Sequence, residues 1–159
     1  MSIDILANSK LSIFGLGLMG GSLALALRDH CSGIFGYDPD PKARILADNS
    51  GVFVRVSNDP AEILSETDVI ILAAPVKKIL QIIQELPELH LGYAIVLDIG
   101  STKKEILEAY KELPLRFDPI GGHPMCGKEQ LTLANSDPSI FRSEEHTSEL
   151  QSQFRISYA

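Results

Sequence analysis

The stretch Leu11-Ser12-Ile13-Phe14-Gly15-Leu16-Gly17-Leu18-Met19-Gly20-Gly21-Ser22 leaves this chain few ways to fold. A short apolar run enters a glycine turn, and the alanine- and leucine-rich segment Leu23 to Leu27 follows at once. In the order strand, G-x-G-x-x-G, helix, each glycine has its own task. Gly15 permits the tight turn, Gly17 lets a diphosphate approach bare backbone, and Gly20 allows the helix to pack closely on the strand. The helix start presents N–H groups and the positive end of its dipole to phosphate. Gly15, Gly17, Leu18, Met19 and Gly20 are therefore the expected cofactor-binding residues of this stretch. A glycine turn alone can be merely structural. The flanking strand and helix, with an acid downstream, favour nucleotide binding here.

That acid is Asp38, 18 residues beyond Gly20 at the end of a short strand, Ile34 to Tyr37. Dinucleotide folds place at this point the carboxylate that accepts hydrogen bonds from the adenosine ribose. A carboxylate repels a 2′-phosphate, so NAD is the expected cofactor rather than NADP. Asp38 also opens Asp38-Pro39-Asp40-Pro41, where aspartate before proline starts a turn. The two roles are compatible.

Strands and helices then alternate. Asp40-Pro41 reads as a cap and first helical residue, opening a helix to Asn49 that Gly51 ends. A brief strand covers Phe53 to Val56. Asp59-Pro60-Ala61-Glu62 repeats the capped start and approaches a capping box. The apolar run Asp68 to Ala73 suits a strand buried on both faces, and Ala74-Pro75 at its exit form a smooth wall for a cofactor. A helix is expected from Val76 to Glu85, stopped at Leu86-Pro87, then a strand from Tyr93 to Asp98. A helix from Lys103 to Lys111 and a strand from Phe117 to Ile120 complete the series. This alternation predicts an α/β, Rossmann-type, doubly wound parallel sheet.

Composition narrows the partners. With 14 basic and 21 acidic residues the chain carries −7, which argues against a nucleic-acid surface. Cys31 and Cys126 are far apart and form neither a disulfide framework nor a metal site, so no metal is expected and a reduced, cytoplasmic setting is. No segment has the length of a membrane span, and Met1 to Lys10, read as a short lead-in to the first strand, lacks the pattern of a signal peptide.

Of the histidines, His30 and His90 follow helix-like segments and are expected to be solvated. His123 differs, because Gly121-Gly122 and Pro124 fix the backbone around it at the exit of the last strand. That is the edge where open α/β sheets bind ligands. An imidazole there can take a proton as hydride leaves a carbon bearing a hydroxyl. A lone histidine in a glycine-proline loop can equally be structural.

Beyond Phe141 the composition shifts. Arg142 to Ser152 resembles the in-frame translation of a sequencing-library adapter, and Gln153 to Ala159 is similar to its continuation. Residues 1–141 are read as the domain. Residues 142–159 are read as an artefactual tail expected to lie unpacked on it, so His146 carries no functional weight.

Taken in order, Gly15 to Ala24, Gly36-Tyr37-Asp38, Ala73-Ala74-Pro75-Val76, Asp98-Ile99-Gly100-Ser101-Thr102-Lys103 and Gly121-Gly122-His123-Pro124-Met125-Cys126-Gly127-Lys128-Glu129 resemble prephenate/arogenate dehydrogenase. The likeness covers residues 10–141, and its last motif is the specific one. It implies oxidative decarboxylation of prephenate to 4-hydroxyphenylpyruvate, or of arogenate to tyrosine, in tyrosine biosynthesis, with NAD or NADP. It also implies roles for single residues. His123 matches the catalytic histidine on the ring hydroxyl, Ser101 the serine between substrate and nicotinamide, and Glu129 an acid at the pocket rim. That family continues into a helical domain with substrate contacts and the homodimer interface, which is missing here. The fragment alone is therefore expected to bind NAD and be inactive. Two rivals remain. A β-hydroxyacid-type dehydrogenase shares the glycine turn but does not need the Gly-Gly-His-Pro loop, and a non-catalytic NAD-binding module would need Asp38 but not His123.

Overall fold

The structure is a computed structural model and describes residues 2–124 and 154–158. In chain order the elements are α1 (Ser2–Ala7), β1 (Lys10–Phe14), α2 (Leu18–Leu27), β2 (Gly33–Tyr37), α3 (Pro41–Asn49), β3 (Arg55–Ser57) and α4 (Pro60–Leu64). They continue with β4 (Val69–Leu72), α5 (Val76–Leu89), β5 (Ala94–Asp98), α6 (Lys104–Tyr110), β6 (Phe117–Pro124) and β7 (Phe154–Tyr158). One sheet holds the strands in the order β3-β2-β1-β4-β5-β6-β7. The first six are parallel, and β7 joins antiparallel to β6. The chain winds outward from β1 to β3, returns to β4 beside β1, and winds the other way. The loops leaving β1 and β4 therefore part at one edge of the sheet and open a crevice between them.

Side-chain alternation along the central strands builds a core on each face. Ile13 and Ile71 join Leu16, Leu23, Ala24 and Ala47 from the side of α2 and α3. Phe14, Ile70 and Leu72 join Ile79, Ile83, Leu86 and Ile106 from the side of α5 and α6. Burial on both faces is why β4 reads as an unbroken apolar run. The exception on β1 is Ser12, fully buried, whose Oγ donates to Ile63 O at 2.7 Å and so satisfies itself on α4.

The capped helix starts form as expected. Asp40 Oδ1 accepts Lys42 N at 2.9 Å, and Asp59 Oδ1 accepts Ala61 N at 2.9 Å. The capping box at α4 closes through a relay. Glu62 Oε2 accepts the Ser57 hydroxyl at 2.7 Å, and that oxygen in turn accepts Asp59 N at 3.0 Å.

Several expectations are corrected. The lead-in to β1 contains a helical segment, α1. Helix α5 runs through Pro87 to Leu89. Pro87 has no N–H to bond back one turn, and its carbonyl, one of the last-turn acceptors without an intrahelical donor, accepts Arg116 Nη2 at 2.7 Å. His90, expected to be solvated, is buried. Its Nδ1 lies 2.8 Å from Leu64 O, and its ring packs 6.1 Å from that of Phe117. Beyond Ile120 the chain stays extended through Pro124 and does not loop out. Phe154–Tyr158, within the tail expected to lie unpacked, pair with it from Ile120↔Tyr158 to Pro124↔Phe154. The alternation Phe154-Arg155-Ile156-Ser157-Tyr158 has the period of a strand, and β6 would otherwise be an open edge.

Candidate functional site: a cleft at the strand crossover

The glycine turn is held against its neighbours by backbone contacts. Gly15 N donates to Tyr37 O at 2.9 Å, and its backbone φ of +97° is one that residues other than glycine rarely adopt. A Cβ on Gly15 would stand 2.5 Å from Ala73 O. Gly20, in the first turn of α2, is tighter still, since a Cβ there would fall 1.9 Å from Gly15 O. Helix α2 thus begins directly on the turn, with Gly17, which has no side chain to cap it, as its cap residue.

Asp38 at the end of β2 is tied to the same turn. Its Oδ2 accepts Leu16 N at 2.8 Å, and its Oδ1 accepts Asp40 N at 2.8 Å. The turn-starting reading of this residue is met by Oδ1. Each oxygen uses one acceptor site here, and a carboxylate has about four, so two hydroxyls can still be held. Arg44 Nη1 donates to Asp38 O and to Pro39 O, both at 2.8 Å, and clamps the exit of β2 to α3.

Between these groups and α5 lies a cleft of about 560 Å³, within the usual range for small-molecule sites. Gly15, Gly17, Leu18, Met19, Asp38, Ala74 and Pro75 all line it. Gly20 is buried behind its wall and acts through packing. The arrangement fits a dinucleotide: bare turn backbone, a carboxylate with acceptor sites left, and a smooth Ala73-Ala74-Pro75 face.

Sequence reading missed the opposite wall. Lys78, Gln81, Ile82 and Glu85 of α5 line the cleft together with Tyr37 and Pro39. The signal was available, since positions 78, 81 and 85 share one helical face while Ile79, Ile83 and Leu86 face the core. Burial pushes the Tyr37 phenol above its ordinary range, helped by the negative charges of Glu85, Asp38 and Asp59 and opposed by Arg44.

The expected catalytic residues gather only in part. Ser101 stands exposed on the loop after β5. His123 lies in β6, its backbone paired with Arg155, and Glu129 is outside the described residues. Because Asp98 of β5 pairs with Gly121 of β6, Ser101 comes three residues after that pair on the loop leaving β5 and His123 two residues after it within β6. Also unanticipated is the anchor beneath Ser101. Asp98 is completely buried; its Oδ1 accepts Gly100 N at 3.0 Å and pairs with Lys103 Nζ, while its Oδ2 accepts Tyr110 OH at 3.2 Å. Burial and the Asp98 charge push the Tyr110 phenol far above its ordinary range. Among the described residues no helix is long and apolar enough to cross a membrane.

Comparison with known proteins adds a family. Residues 23–146 match the model described as prephenate dehydrogenase, nucleotide-binding domain. That span takes in Asp38, Ala74, Pro75, Ser101, His123 and Glu129 and begins just after the glycine turn. The chain is 32% identical over 133 residues to a prephenate dehydrogenase of Bacillus subtilis, covering 81% of this chain and 36% of that protein. Among solved structures it resembles A. aeolicus prephenate dehydrogenase in complex with hydroxyphenyl propionate and NAD+, with TM-score 0.75 and 29% identity over 85% of this chain and 48% of that one. It also resembles Synechocystis arogenate dehydrogenase, with TM-score 0.73 and 27% identity over 80% and 45%. The chain spans less than half the length of each of these three proteins.

Proposed function

Because the chain belongs to the prephenate dehydrogenase family, through its nucleotide-binding domain, we propose that its cleft binds NAD for the oxidative decarboxylation of prephenate or arogenate. The observation that supports this most is the convergence of the glycine turn, Asp38 and Ala73-Ala74-Pro75 on one cleft. Gly15, Gly17, Leu18 and Met19 would hold the diphosphate, Asp38 the adenosine ribose, and Ala74 and Pro75 would form the smooth wall that the cofactor lies against. Gly20 keeps α2 close enough for this. Bound NAD would supply the hydride acceptor.

The remaining chemistry falls to the far side of the crevice. His123 accepts the proton of the ring hydroxyl, for which an imidazole titrating near neutrality is suited. Ser101 orients that hydroxyl and the imidazole, and Glu129 lies at the rim. Loss of carbon dioxide then leaves an aromatic ring, a driving force that requires no metal. A polypeptide of these 159 residues is proposed to bind NAD without appreciable turnover. The groups that position the ring would come from the rest of a full-length enzyme, and such positioning supplies roughly 7–11 kcal/mol of a barrier. The same further domain is proposed to form a homodimer, and the cytoplasm is the proposed setting. We read residues 142–159 as adapter-derived, which recovery of an uninterrupted reading frame beyond Phe141 tests.

A dehydrogenase assay with prephenate and with arogenate, on a chain extended to the length of its relatives, tests the catalytic part. One of the two substrates should turn over with NAD, and His123→Asn should lower the rate by about 10²–10⁴-fold with cofactor affinity little changed. Full turnover in His123→Asn would remove His123 from the role of base.

A further inference from the structure

We propose that Glu85 reads the base of the bound dinucleotide, accepting a hydrogen bond from the 6-amino group of adenine and rejecting a 6-oxo purine. The inference rests on the reading that the cleft takes a dinucleotide. It adds the selection of the base, which the glycine turn and Asp38 do not provide.

The ligand's orientation follows from its two fixed points. The turn Gly15–Gly17 at the exit of β1 takes the diphosphate, and Asp38 at the exit of β2 takes the ribose. The base must then lie beyond Asp38, on the side away from the turn. The cleft's lining there would be Pro39, next to Asp38 in the chain, and Gln81, Ile82 and Glu85, further along α5 than Lys78. Pro39 and Ile82 offer apolar surface to the faces of a purine. They cannot distinguish one purine from another.

The polar groups on α5 can. Lys78 Nζ donates to Gln81 Oε1 at 3.3 Å, and Gln81 Nε2 donates to Glu85 Oε1 at 3.2 Å. This ladder fixes the direction of the Gln81 amide, with its oxygen toward Lys78 and its nitrogen toward Glu85. A cation thus stands in the first turn of α5, beside Pro75, at the diphosphate end. A carboxylate stands two turns on, at the base end. The order matches the adenosine half of a dinucleotide, anionic at the diphosphate and carrying an amino donor on the base. Glu85 has acceptor sites beyond the one that Gln81 occupies. Its charge also reaches across to Tyr37 at the end of β2, where it helps to hold the phenol protonated. The carboxylate therefore lies within electrostatic reach of the wall opposite its own helix.

A 6-oxo purine presents an acceptor where adenine presents a donor. Two acceptors facing each other lose the hydrogen bond and repel. A glutamine can turn its amide to meet either group, so Glu85→Gln should erase the distinction without removing the contact.

The test compares binding of NADH and of its hypoxanthine analogue, reduced nicotinamide hypoxanthine dinucleotide, to the 159-residue chain. The unmodified protein should bind NADH roughly three- to tenfold more tightly, the scale of one hydrogen bond. Glu85→Gln should bring the two affinities within about twofold while both still bind. Glu88→Gln, on the same helix but outside the cleft, should keep the original ratio. Equal affinities in the unmodified protein, or a ratio unchanged by Glu85→Gln, would overturn the proposal and leave dinucleotide binding standing. A folded protein that binds neither compound would overturn both.

Discussion

The carboxylate of Asp38 accepts the backbone N–H of Leu16 at 2.8 Å, so the residue proposed to hold the ribose also holds the turn proposed to hold the diphosphate. Cofactor choice and the shape of the site are therefore coupled through a single side chain. Asp38→Ser is expected to do two things at once. Loss of a charge-assisted bond to a partly buried N–H should cost about 1–3 kcal/mol of stability. Removing the charge should narrow the preference for NADH over NADPH. Thermal unfolding and paired titrations with NADH and NADPH check the two effects. A variant that kept both full stability and full preference would contradict the coupling.

Gly20→Ala sets two effects of opposite sign against each other. Alanine favours a helix by about 1 kcal/mol over glycine. Its Cβ would meet Gly15 O at 1.9 Å, and a backbone oxygen cannot swing aside. The clash should win. Unfolding should shift to lower temperature by an amount equivalent to at least about 1–3 kcal/mol, and NADH affinity should fall with it as the turn opens. A gain in stability would mean that α2 does not pack on the turn as described.

Alkaline stability should depend on Tyr110. Its phenol is held protonated in the folded domain well above the ordinary value of 10.0, through burial and the Asp98 charge. In the unfolded chain it ionises near that value. Its contribution is thus present below about pH 10 and is lost as pH rises further, with a slope of at most about 1.4 kcal/mol per pH unit. Denaturant unfolding at stepped pH should show this fall. Tyr110→Phe should be less stable near neutrality, having lost the bond to Asp98, yet fall less steeply above pH 10. Identical alkaline slopes would contradict the burial argument.

The legible parts of this fold were those written in local chemistry. The glycine turn, the Asp-Pro helix starts at Asp40 and Asp59, and the doubly wound order of strands follow from neighbours in sequence. What sequence reading missed depends on contacts between distant segments. His90 follows a helix and precedes Leu91-Gly92, which suggests exposure. Its burial is decided by Leu64, 26 residues earlier, and Phe117, 27 later. The extension of β6 depends on a partner strand at least 30 residues further along the chain, at Phe154–Tyr158. The α5 wall was visible as a polar face, but nothing local tells a solvated face from one that lines a cleft. Asp98 at the end of a buried strand, with Lys103 five residues on, reads locally as no more than part of a motif. Its role as an anchor emerges when Tyr110 is seen to cover it.

The central claim is that this cleft is a dinucleotide site built from the glycine turn and Asp38. Calorimetric titration of the 159-residue chain with NADH addresses it most directly. The account predicts saturable binding of one NADH per chain, competed by ADP and weakened at least about tenfold by Gly20→Ala. A chain that is folded by circular dichroism and shows no saturable binding of NADH would contradict it.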